Sequence, residues 1–348
     1  MSSLVKVDES RPIDVISSFR ELMVDLIVVL CPKVNVFFSI SGPPISPLKS
    51  FLLILHKIFM LVKNLLQRSL TGIIYVIFII GMVTYSRVSF ELLQAILIVG
   101  GILEFSHISE RPSRLLLVDM TDMLGGILLL CAVNIFALTT LPVYYGPALY
   151  FVYIIARLLI QLYSDDNHPI AALGHSFLSQ LYIALPVAMM SMLRSYGGAT
   201  LALAMFIMIW LNDTGAYCVG VTLGRHRLFE RVSPKKSWEG FFGGLLVTVA
   251  SSFIFKFCFT DSFPLSIGWY VGMGLIVAVF GTWGDLVESL MKRSIHVKDS
   301  GKILPGHGGI LDRIDSLLLV VPALAVYILF TRICSGDLFD KILTLLHY

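Results

Sequence analysis

Residues 263–284 read FPLSIGWYVGMGLIVAVFGTWG and residues 316–330 read SLLLVVPALAVYILF, and the chain between these two apolar runs is densely charged. An α-helix needs about 20 mostly apolar residues to cross a lipid bilayer, and both runs belong to segments of about that length. Charged residues are costly where they meet a membrane, so by default they mark a functional site. The charged stretch SLMKRSIHVKDSGKILPGHGGILDRIDS (289–316) therefore predicts a helical membrane protein and the place where it acts.

The composition excludes a water-soluble globular protein. Of the 348 residues, 57% are hydrophobic and 14% are charged, and the mean hydropathy is +0.86. An average soluble domain is about 45–50% apolar and about 25% charged. The net charge of +3 is too small to indicate a nucleic-acid partner. The five cysteines are scattered, without a Cys-x-x-Cys pair, which argues against a disulfide framework or a zinc site.

Hydropathy along the chain predicts an all-α, polytopic integral membrane protein with about nine transmembrane helices. The predicted spans are 70–87, 89–105, 116–140, 143–163, 177–194, 198–223, 239–260, 264–284 and 316–333. Segment 50–66 is interrupted by His56, Lys57 and Lys63, and we interpret it as an amphipathic helix at the membrane interface. The predicted division is an N-terminal cytoplasmic or interfacial segment (1–69), N-terminal transmembrane helices (70–194), a catalytic transmembrane region (195–333) and a C-terminal tail (334–348).

Two basic segments, 224–238 and 285–315, determine the predicted orientation. Two predicted spans separate them, so both face the same compartment. Cytoplasmic loops of membrane proteins carry an excess of Lys and Arg. We therefore expect both to be cytoplasmic loops of a multi-pass protein of the cell (inner) membrane, with the active site on the cytoplasmic side.

Acidic residues recur at helical spacing at both ends of the charged stretch. Asp285, Glu288 and Lys292, with Ser289, fall on one face of a helix that continues the preceding span. Asp312 and Asp315 are three residues apart where the last span begins. If the glycine-containing loop folds back, both helix ends can bind one divalent cation, since Mg²⁺ takes oxygen ligands and completes its shell with water or phosphate. The basic residues placed to surround phosphates are Lys292, Arg293, Lys298 and Arg313. The alternative is a juxtamembrane loop whose basic residues contact lipid headgroups.

A second polar group interrupts an apolar run at Asn212 and Asp213. A carboxylate at that depth needs a partner. The two residues form either a polar contact between packed helices or a wall of a nucleotide site. Lys235 and Lys236 can bind phosphate near the start of the following helix, and Trp238 can either pack on a base or anchor the chain at the membrane interface.

Other polar residues are interpreted more simply. We expect Asp119 and Asp122 to be structural or interfacial, and Glu104 and His175 to be packing residues. His307 could be taken for a general base, but a phosphate nucleophile is already anionic near neutral pH and needs none. We favour a role for His307 in shaping the loop or contacting phosphate.

The run S-x-x-K-R-x4-K-D-x-G-x3-P-G-H-G-G-x-x-D-R-x-D, from Ser289 to Asp315, resembles the signature of the bacterial-type phosphatidate cytidylyltransferase (CDP-diacylglycerol synthase) family. The runs NDTGAY (212–217) and SPKKSWEG (233–240) are similar to the same family, and the resemblance extends over roughly residues 66–332. It implies a nucleotidyltransferase of phospholipid biosynthesis, commonly a homodimer, that converts CTP and phosphatidate to CDP-diacylglycerol and pyrophosphate. In the implied mechanism the lipid phosphate attacks the α-phosphorus of CTP in line.

The resemblance also implies a cofactor and roles for individual residues. The cofactor is Mg²⁺, with a place for a second cation such as K⁺. The implied metal ligands are Asp285, Asp312 and Glu288. The implied catalytic residues are Lys292, Arg293, Lys298, Asp299, His307, Arg313 and Asp315. The implied CTP- or phosphatidate-binding residues are Asn212, Asp213, Ser233, Lys235, Lys236, Ser237, Trp238, Glu239, Gly308 and Gly309.

Three other functions are weighed against this one. A CTP-dependent lipid kinase would transfer the γ-phosphate to a lipid alcohol and release CDP. A transporter that couples ions through intramembrane carboxylates is expected to show an internal repeat and charges near the membrane midplane. The sequence shows no convincing repeat, and its charges cluster at one side. The third alternative is a relative without catalytic activity.

Overall fold

The computed structural model describes residues 69–108, 116–138, 142, 144–258, 266–297, 300, 301 and 308–334. These residues all belong to one compact unit, Lys63–Tyr348. The predicted interfacial helix 50–66 and nearly all of the predicted C-terminal tail lie outside the described residues.

The described part of the chain is a bundle of helices with one small β-hairpin. The helices are α1 (Ser69–Tyr85), α2 (Arg87–Ile108), α3 (Leu116–Leu138), α4 (Tyr145–Leu162), α5 (Pro169–Ser179), α6 (Leu185–Leu223), α7 (Trp238–Cys258), α8 (Ile267–Ser294) and α9 (Leu311–Cys334). A single π-helical turn, Gln180–Ala184, joins α5 to α6. The hairpin consists of β1 (Arg227–Phe229) and β2 (Ser233–Ser237).

Seven helical stretches of the described residues are long and apolar enough to cross a membrane. This confirms the predicted all-α polytopic class but not the predicted number of nine spans. One difference is α1, which has 17 residues and falls short of the roughly 20 that a bilayer requires. The other is that the predicted spans 177–194 and 198–223 belong to one helical run, Pro169–Leu223.

That run is interrupted at Gly197 and Gly198, and Gly198 has a φ of 68°. Glycine adopts positive φ readily, whereas residues with a Cβ atom avoid it. A straight helix of 55 residues would be about 80 Å long, more than twice the hydrocarbon thickness of a bilayer. The break therefore falls where the sequence places the boundary between two spans.

The core lies where α2, α6, α8 and α9 meet. Leu93, Met205, Val277 and Leu318, one from each of these helices, are completely buried. Large apolar residues on the outward faces of the bundle are exposed instead, as expected for helices that face lipid. The bundle thus buries one apolar face of these helices against protein and leaves the other for the bilayer.

Small residues bring α6 and α7 into close contact. A Cβ atom on Gly240 would lie 2.8 Å from the carbonyl oxygen of Ala216, and one on Gly244 would lie 2.8 Å from that of Asn212. Small residues four apart allow membrane helices to approach at backbone distance. This contact fixes α7 against the half of α6 that carries Asp213.

The predicted loop 224–238 contains the hairpin, whose strands are antiparallel with Arg227 opposite Ser237. Ser237 then caps α7, because its Oγ accepts a hydrogen bond from the N–H of Gly240 at 3.1 Å. The hairpin therefore leads into α7 without an intervening loop, and this connection holds Lys236 next to the first turn of α7.

Candidate active site

The last three turns of α8 carry a row of polar residues on one face, as predicted. Ser289 Oγ donates a hydrogen bond to Asp285 Oδ1 at 3.2 Å, and Lys292 Nζ lies 2.7 Å from Glu288 Oε2. Both pairs are four residues apart, so they lie on the same side of the helix. Glu288 is 1% exposed, which makes its pairing with Lys292 energetically necessary.

The first turn of α9 meets this face because α8 has no side chain at Gly284. A Cβ atom there would lie 2.6 Å from the carbonyl oxygen of Asp315 and 2.9 Å from the Cα of Ser316. The close approach brings together one oxygen each of Asp285, Glu288 and Asp315, all within 4.8 Å of one another. We call these three residues the carboxylate cluster. The predicted convergence of two acidic helix ends is confirmed.

The β-hairpin adds a cation to the cluster. Lys236 Nζ lies 2.5 Å from Asp285 Oδ2 and donates a hydrogen bond to the carbonyl oxygen of Thr282 at 3.3 Å. The basic segments 224–238 and 285–315 therefore lie on the same side of the bundle, as the orientation argument requires.

Asp312, also a predicted metal ligand, lies beside the carboxylate cluster without being one of its three members, and its role as a ligand stays a prediction. Its Oδ1 accepts a hydrogen bond from Lys292 Nζ at 2.7 Å, and its Oδ2 accepts from the N–H groups of Ser300 at 3.0 Å and Gly309 at 2.8 Å. In this geometry Asp312 fastens the two ends of the loop to α9, and Asp315 completes the cluster.

Glu104, interpreted from the sequence as a packing residue, fastens the same loop from α2. Its Oε2 accepts hydrogen bonds from the N–H of Leu311 at 2.8 Å and from Ser300 Oγ at 3.1 Å, and the residue is 4% exposed. A Cβ atom on Gly309 would lie 2.3 Å from this oxygen and 2.2 Å from Ser300 Oγ. Gly309 is thus required for close packing, and its predicted contact with substrate stays a prediction. The sequence held one indication of this role for Glu104, namely that its carboxylate stands at the end of an otherwise apolar span.

Carboxylates outnumber the ammonium groups that pair with them around the cluster. Among the described residues, Lys236 pairs with Asp285, and Lys292 pairs with both Glu288 and Asp312, while Arg313 lines one cavity together with Asp315. In addition, Glu288 Oε1 is buried without a hydrogen-bond partner among the described residues. A buried carboxylate oxygen needs compensation by a cation or a donor. The donor set of carboxylate oxygens fits a hard divalent cation such as Mg²⁺.

The other predicted catalytic residues differ in their placement. Arg313 lines a cavity together with Asp213 and Asp315. Arg293 is exposed, and its Nη1 donates a hydrogen bond to the carbonyl oxygen of Val297, just after the end of α8, at 3.1 Å. The remaining three, Lys298, Asp299 and His307, lie outside the described residues.

Asn212 and Asp213, the pair predicted to form either a helix contact or a wall of the nucleotide site, lie in two different environments. Asp213 faces the cavity of Arg313, whose wall also includes Tyr75 and Trp210. Asn212 is 2% exposed and packs between helices, because Cβ atoms on Gly244 and Gly281 would lie 2.7 and 3.7 Å from its amide group. The structure therefore favours the helix-packing alternative for Asn212 and leaves Asp213 as a site residue.

Glu239 has a structural role in the described residues, and its predicted contact with substrate stays a prediction. Its carboxylate accepts hydrogen bonds from the N–H groups of Arg225 at 3.1 Å and His226 at 3.2 Å, and it also contacts His226 Nδ1 at 2.6 Å. These bonds hold the start of the hairpin to α7. Gly308, also predicted to bind substrate, has a φ of 85°, and a Cβ atom there would lie 2.6 Å from Asp312 Oδ2, so its role is to admit the Asp312 carboxylate.

The remaining predicted substrate residues lie on the hairpin and the first turn of α7. Trp238 is 47% exposed, and its ring stacks on that of Phe242 with centroids 6.1 Å apart. This contact favours the membrane-anchor alternative over packing on a base. Ser237 is buried as the cap of α7, Lys235 is exposed on β2, and Ser233 begins β2.

Comparison with known proteins now adds to this geometry. Residues 66–331 match the model of a family described as the cytidylyltransferase family. The chain belongs to the cytidylyltransferase family. The match covers every described element from the first helix to near the end of the last, and it confirms the resemblance found in the signature run.

Curated members of the cytidylyltransferase family show how similar the chain is to named proteins. It is 34% identical over 269 residues to the phosphatidate cytidylyltransferase of Bacillus subtilis (strain 168), which covers 74% of this chain and 95% of the relative. It is 48% identical over 124 residues to that of Staphylococcus haemolyticus (strain JCSC1435), which covers 36% of this chain and 47% of the relative. The corresponding protein of Staphylococcus aureus (strain COL) is 47% identical over 124 residues.

Proposed function

We propose that this protein is a phosphatidate cytidylyltransferase: it transfers the cytidylyl group of CTP to phosphatidate and produces CDP-diacylglycerol and pyrophosphate. The observation that carries the proposal is the carboxylate cluster, at which two helix ends, a basic hairpin and a glycine-containing loop meet on one side of a membrane bundle. Carboxylates and lysines in contact are what a reaction between two phosphate-bearing substrates requires. The family and the names of its members support the same reaction.

The chemistry needs positioning and charge neutralisation rather than a covalent intermediate. A phosphate oxygen of phosphatidate forms a bond to the α-phosphorus of CTP, and the bond from that phosphorus to the oxygen bridging to the β-phosphate breaks. The electron pair leaves with pyrophosphate. The phosphate nucleophile is anionic at neutral pH, so no side chain has to remove a proton from it.

Lys292, Lys236 and Arg313 are the cations that the described structure offers to these phosphates. Lys292 is half-buried and held between Glu288 and Asp312, so its position is set before substrate binds. Lys236 is held in the same way by Asp285. Fixed charges of this kind stabilise a transition state without having to reorganise.

We further propose that Asp285, Glu288 and Asp315 hold a divalent cation, Mg²⁺. When bound there, it would supply positive charge to the phosphate oxygens and to the departing pyrophosphate. The unpartnered oxygen of Glu288 and the excess of carboxylates support this assignment.

The site is proposed to lie on the cytoplasmic side of the cell (inner) membrane, where CTP is available. The common location of both basic segments supports this orientation through the positive-inside rule. Assembly as a homodimer is retained as part of the proposal on the resemblance alone.

The test follows radioactive phosphate from the α-position of CTP into lipid. Purified protein in detergent–phosphatidate micelles with Mg²⁺ is expected to label the lipid fraction. Asp285→Asn and Asp315→Asn should lower the rate by about a hundredfold or more, the scale expected when a group that stabilises transition-state charge is lost. Glu91→Gln is the matched control, because Glu91 pairs with Arg87 near the start of α2, at the opposite end of that helix from Glu104.

The outcomes separate the competing functions. Label that reaches lipid only from the γ-position would indicate a lipid kinase and overturn the proposal. Label from neither position, in protein that remains folded, would overturn both enzyme assignments. Full activity of Asp315→Asn would remove that residue from the proposed cation site while leaving the reaction in place.

A further inference from the structure

A second cavity, of about 280 Å³, lies beside the carboxylate cluster and shares no lining residue with the cavity of Asp213 and Arg313. Glu288 lines this cavity and Asp315 lines the other, so the cluster stands between the two. A reaction of two substrates at one centre needs two approaches to it. We call the second cavity the α5 cavity, since His175, Leu178 and the adjoining Tyr182 form one of its walls.

The wall of the α5 cavity is mainly apolar, with polar groups at one end. Its apolar residues are Phe105, Ile108, Leu178, Met291, Ile295 and Leu311. Its polar residues are Glu288 and Lys292, which belong to the site already described, and His175, Tyr182 and Ser294. Apolar side chains form the larger part of this wall, whereas the base and ribose of a nucleotide need many hydrogen-bond partners. A molecule with a phosphate at one end and an apolar body matches it better.

Three polar residues of this wall, His175, Tyr182 and Ser294, have no role in the proposed mechanism, and Tyr182 is the one with a buried polar atom that lacks a partner. It is 9% exposed, and its hydroxyl has no hydrogen-bond partner among the described residues. A buried hydroxyl without a partner is energetically unfavourable, so a hydroxyl in that state is available to a ligand. The residue lies in the π-helical turn Gln180–Ala184, and such turns occur frequently at functional sites. Tyr182 lines the same cavity as Glu288 and Lys292, which places it near the cluster.

The outer surface next to the α5 cavity is suited to contact with lipid. Leu178 lines the cavity and is 43% exposed. Ile170 and Leu181, on the same helical run, are exposed to 86% and 64%. Leu178 both lines the cavity and is exposed, so a lipid can enter beside it from the side, with its acyl chains still in the bilayer.

We propose that the α5 cavity binds the glycerol ester and proximal acyl portion of phosphatidate, and that the Tyr182 hydroxyl donates a hydrogen bond to an oxygen of its headgroup. The lipid phosphate then lies next to Lys292 and reaches the carboxylate cluster from the side of Glu288. CTP reaches the cluster from elsewhere. This assignment rests on the proposed function and specifies which wall of the site recognises which substrate.

Tyr182→Phe tests the hydrogen bond, because it removes only the hydroxyl. The apparent KM for phosphatidate, measured by varying its surface concentration in mixed micelles, should rise by about tenfold or more, since a hydrogen bond to a charged group is lost. The KM for CTP should not change. Tyr327→Phe is the matched control: its hydroxyl donates to the carbonyl oxygen of Trp269 at 3.2 Å, at the end of the bundle away from the site, and both KM values should stay at the wild-type level.

Leu178→Trp tests the apolar wall independently. The larger side chain can be accommodated at an exposed position while it narrows the cavity mouth. It should lower kcat/KM for dioleoyl phosphatidate more than for the short-chain dihexanoyl form, which does not have to enter from the bilayer. An equal effect on both lipids would overturn the lateral-entry part of the proposal.

The failure of this assignment can be told from failure of the reaction itself. Wild-type protein that forms no CDP-diacylglycerol would overturn the proposed function and this assignment with it. Active wild-type protein combined with an unchanged phosphatidate KM in Tyr182→Phe would overturn the assignment alone. So would a Tyr182→Phe variant whose KM for CTP rises instead.

Discussion

Gly284→Ala should separate the two helices that form the carboxylate cluster. The added Cβ atom would lie 2.6 Å from the carbonyl oxygen of Asp315, about 0.8 Å inside the 3.4 Å at which ordinary contact begins. The obstructing atoms belong to the backbone of Asp315 and Ser316, so no side-chain rotation relieves the clash. α9 must move away from α8 by close to 1 Å, and Asp315 moves with it relative to Asp285.

A displacement of about 1 Å in a catalytic arrangement can reduce the rate roughly a hundredfold. We therefore expect Gly284→Ala to lower kcat by that factor in the α-labelled CTP assay. Gly281→Ala is the matched control, one turn earlier on α8, where the nearest atoms to a new Cβ lie at 3.7 Å. Alanine favours a helix over glycine by about 1 kcal/mol, so both variants gain the same intrinsic helix stability. Equal activity of Gly284→Ala, Gly281→Ala and wild type would refute the close-approach argument.

Two further predictions concern buried polar groups on the N-terminal helices. Glu104→Ala leaves the Leu311 N–H and the Ser300 hydroxyl without their acceptor, which costs roughly 1–3 kcal/mol for each group, so activity and the melting temperature should both fall. Glu104→Gln keeps an acceptor oxygen and should restore part of the activity and part of the melting temperature. An equal loss in the two variants would contradict this prediction. Arg157 and Asp122 are 0% and 1% exposed and pair across α3 and α4, so Arg157→Met or Asp122→Asn alone should destabilise the fold by about 3–5 kcal/mol, measured by thermal unfolding in detergent. The double variant should recover part of that loss, because it no longer leaves a single buried charge, and additive losses would argue against the pairing.

The sequence predicted the parts of the site that depend on local spacing. Asp285, Glu288 and Lys292 follow one another at three- and four-residue intervals, so a helix through them had to present all three on one face. The same logic placed Asp315 at the start of the last span. α8 and α9 are joined by one loop and both carry carboxylates at the ends next to it, and on this basis the sequence predicted that these two ends meet.

What local spacing could not supply was the identity of the partners across the bundle. Glu104 is 196 residues from Ser300 and 207 from Leu311 along the chain, and no periodicity relates such distant positions. Asp312 and Asp315 both lie in the first turns of α9, and spacing alone does not tell which of them faces Asp285 and Glu288 on α8. The packing of α9 against Gly284 decides this. Spacing therefore predicted which helix end meets the cluster, but not that Asp315 is the residue of that end whose oxygen lies in it.

The lysines of the site also show why single substitutions there will be hard to interpret. Lys236 and Lys292 lie in contact with Asp285, Glu288 and Asp312, so each ammonium group stabilises a carboxylate before any phosphate arrives. When a phosphate binds, it shares the same ammonium group with that carboxylate. Removing the lysine thus removes a phosphate contact and also leaves carboxylates in mutual repulsion, and arginine is no neutral replacement, since its planar fork has a different geometry. The glycine and tyrosine substitutions above change distance or a single hydroxyl without altering charge, and for that reason they test the arrangement of the site more directly than the loss of any of its charged residues.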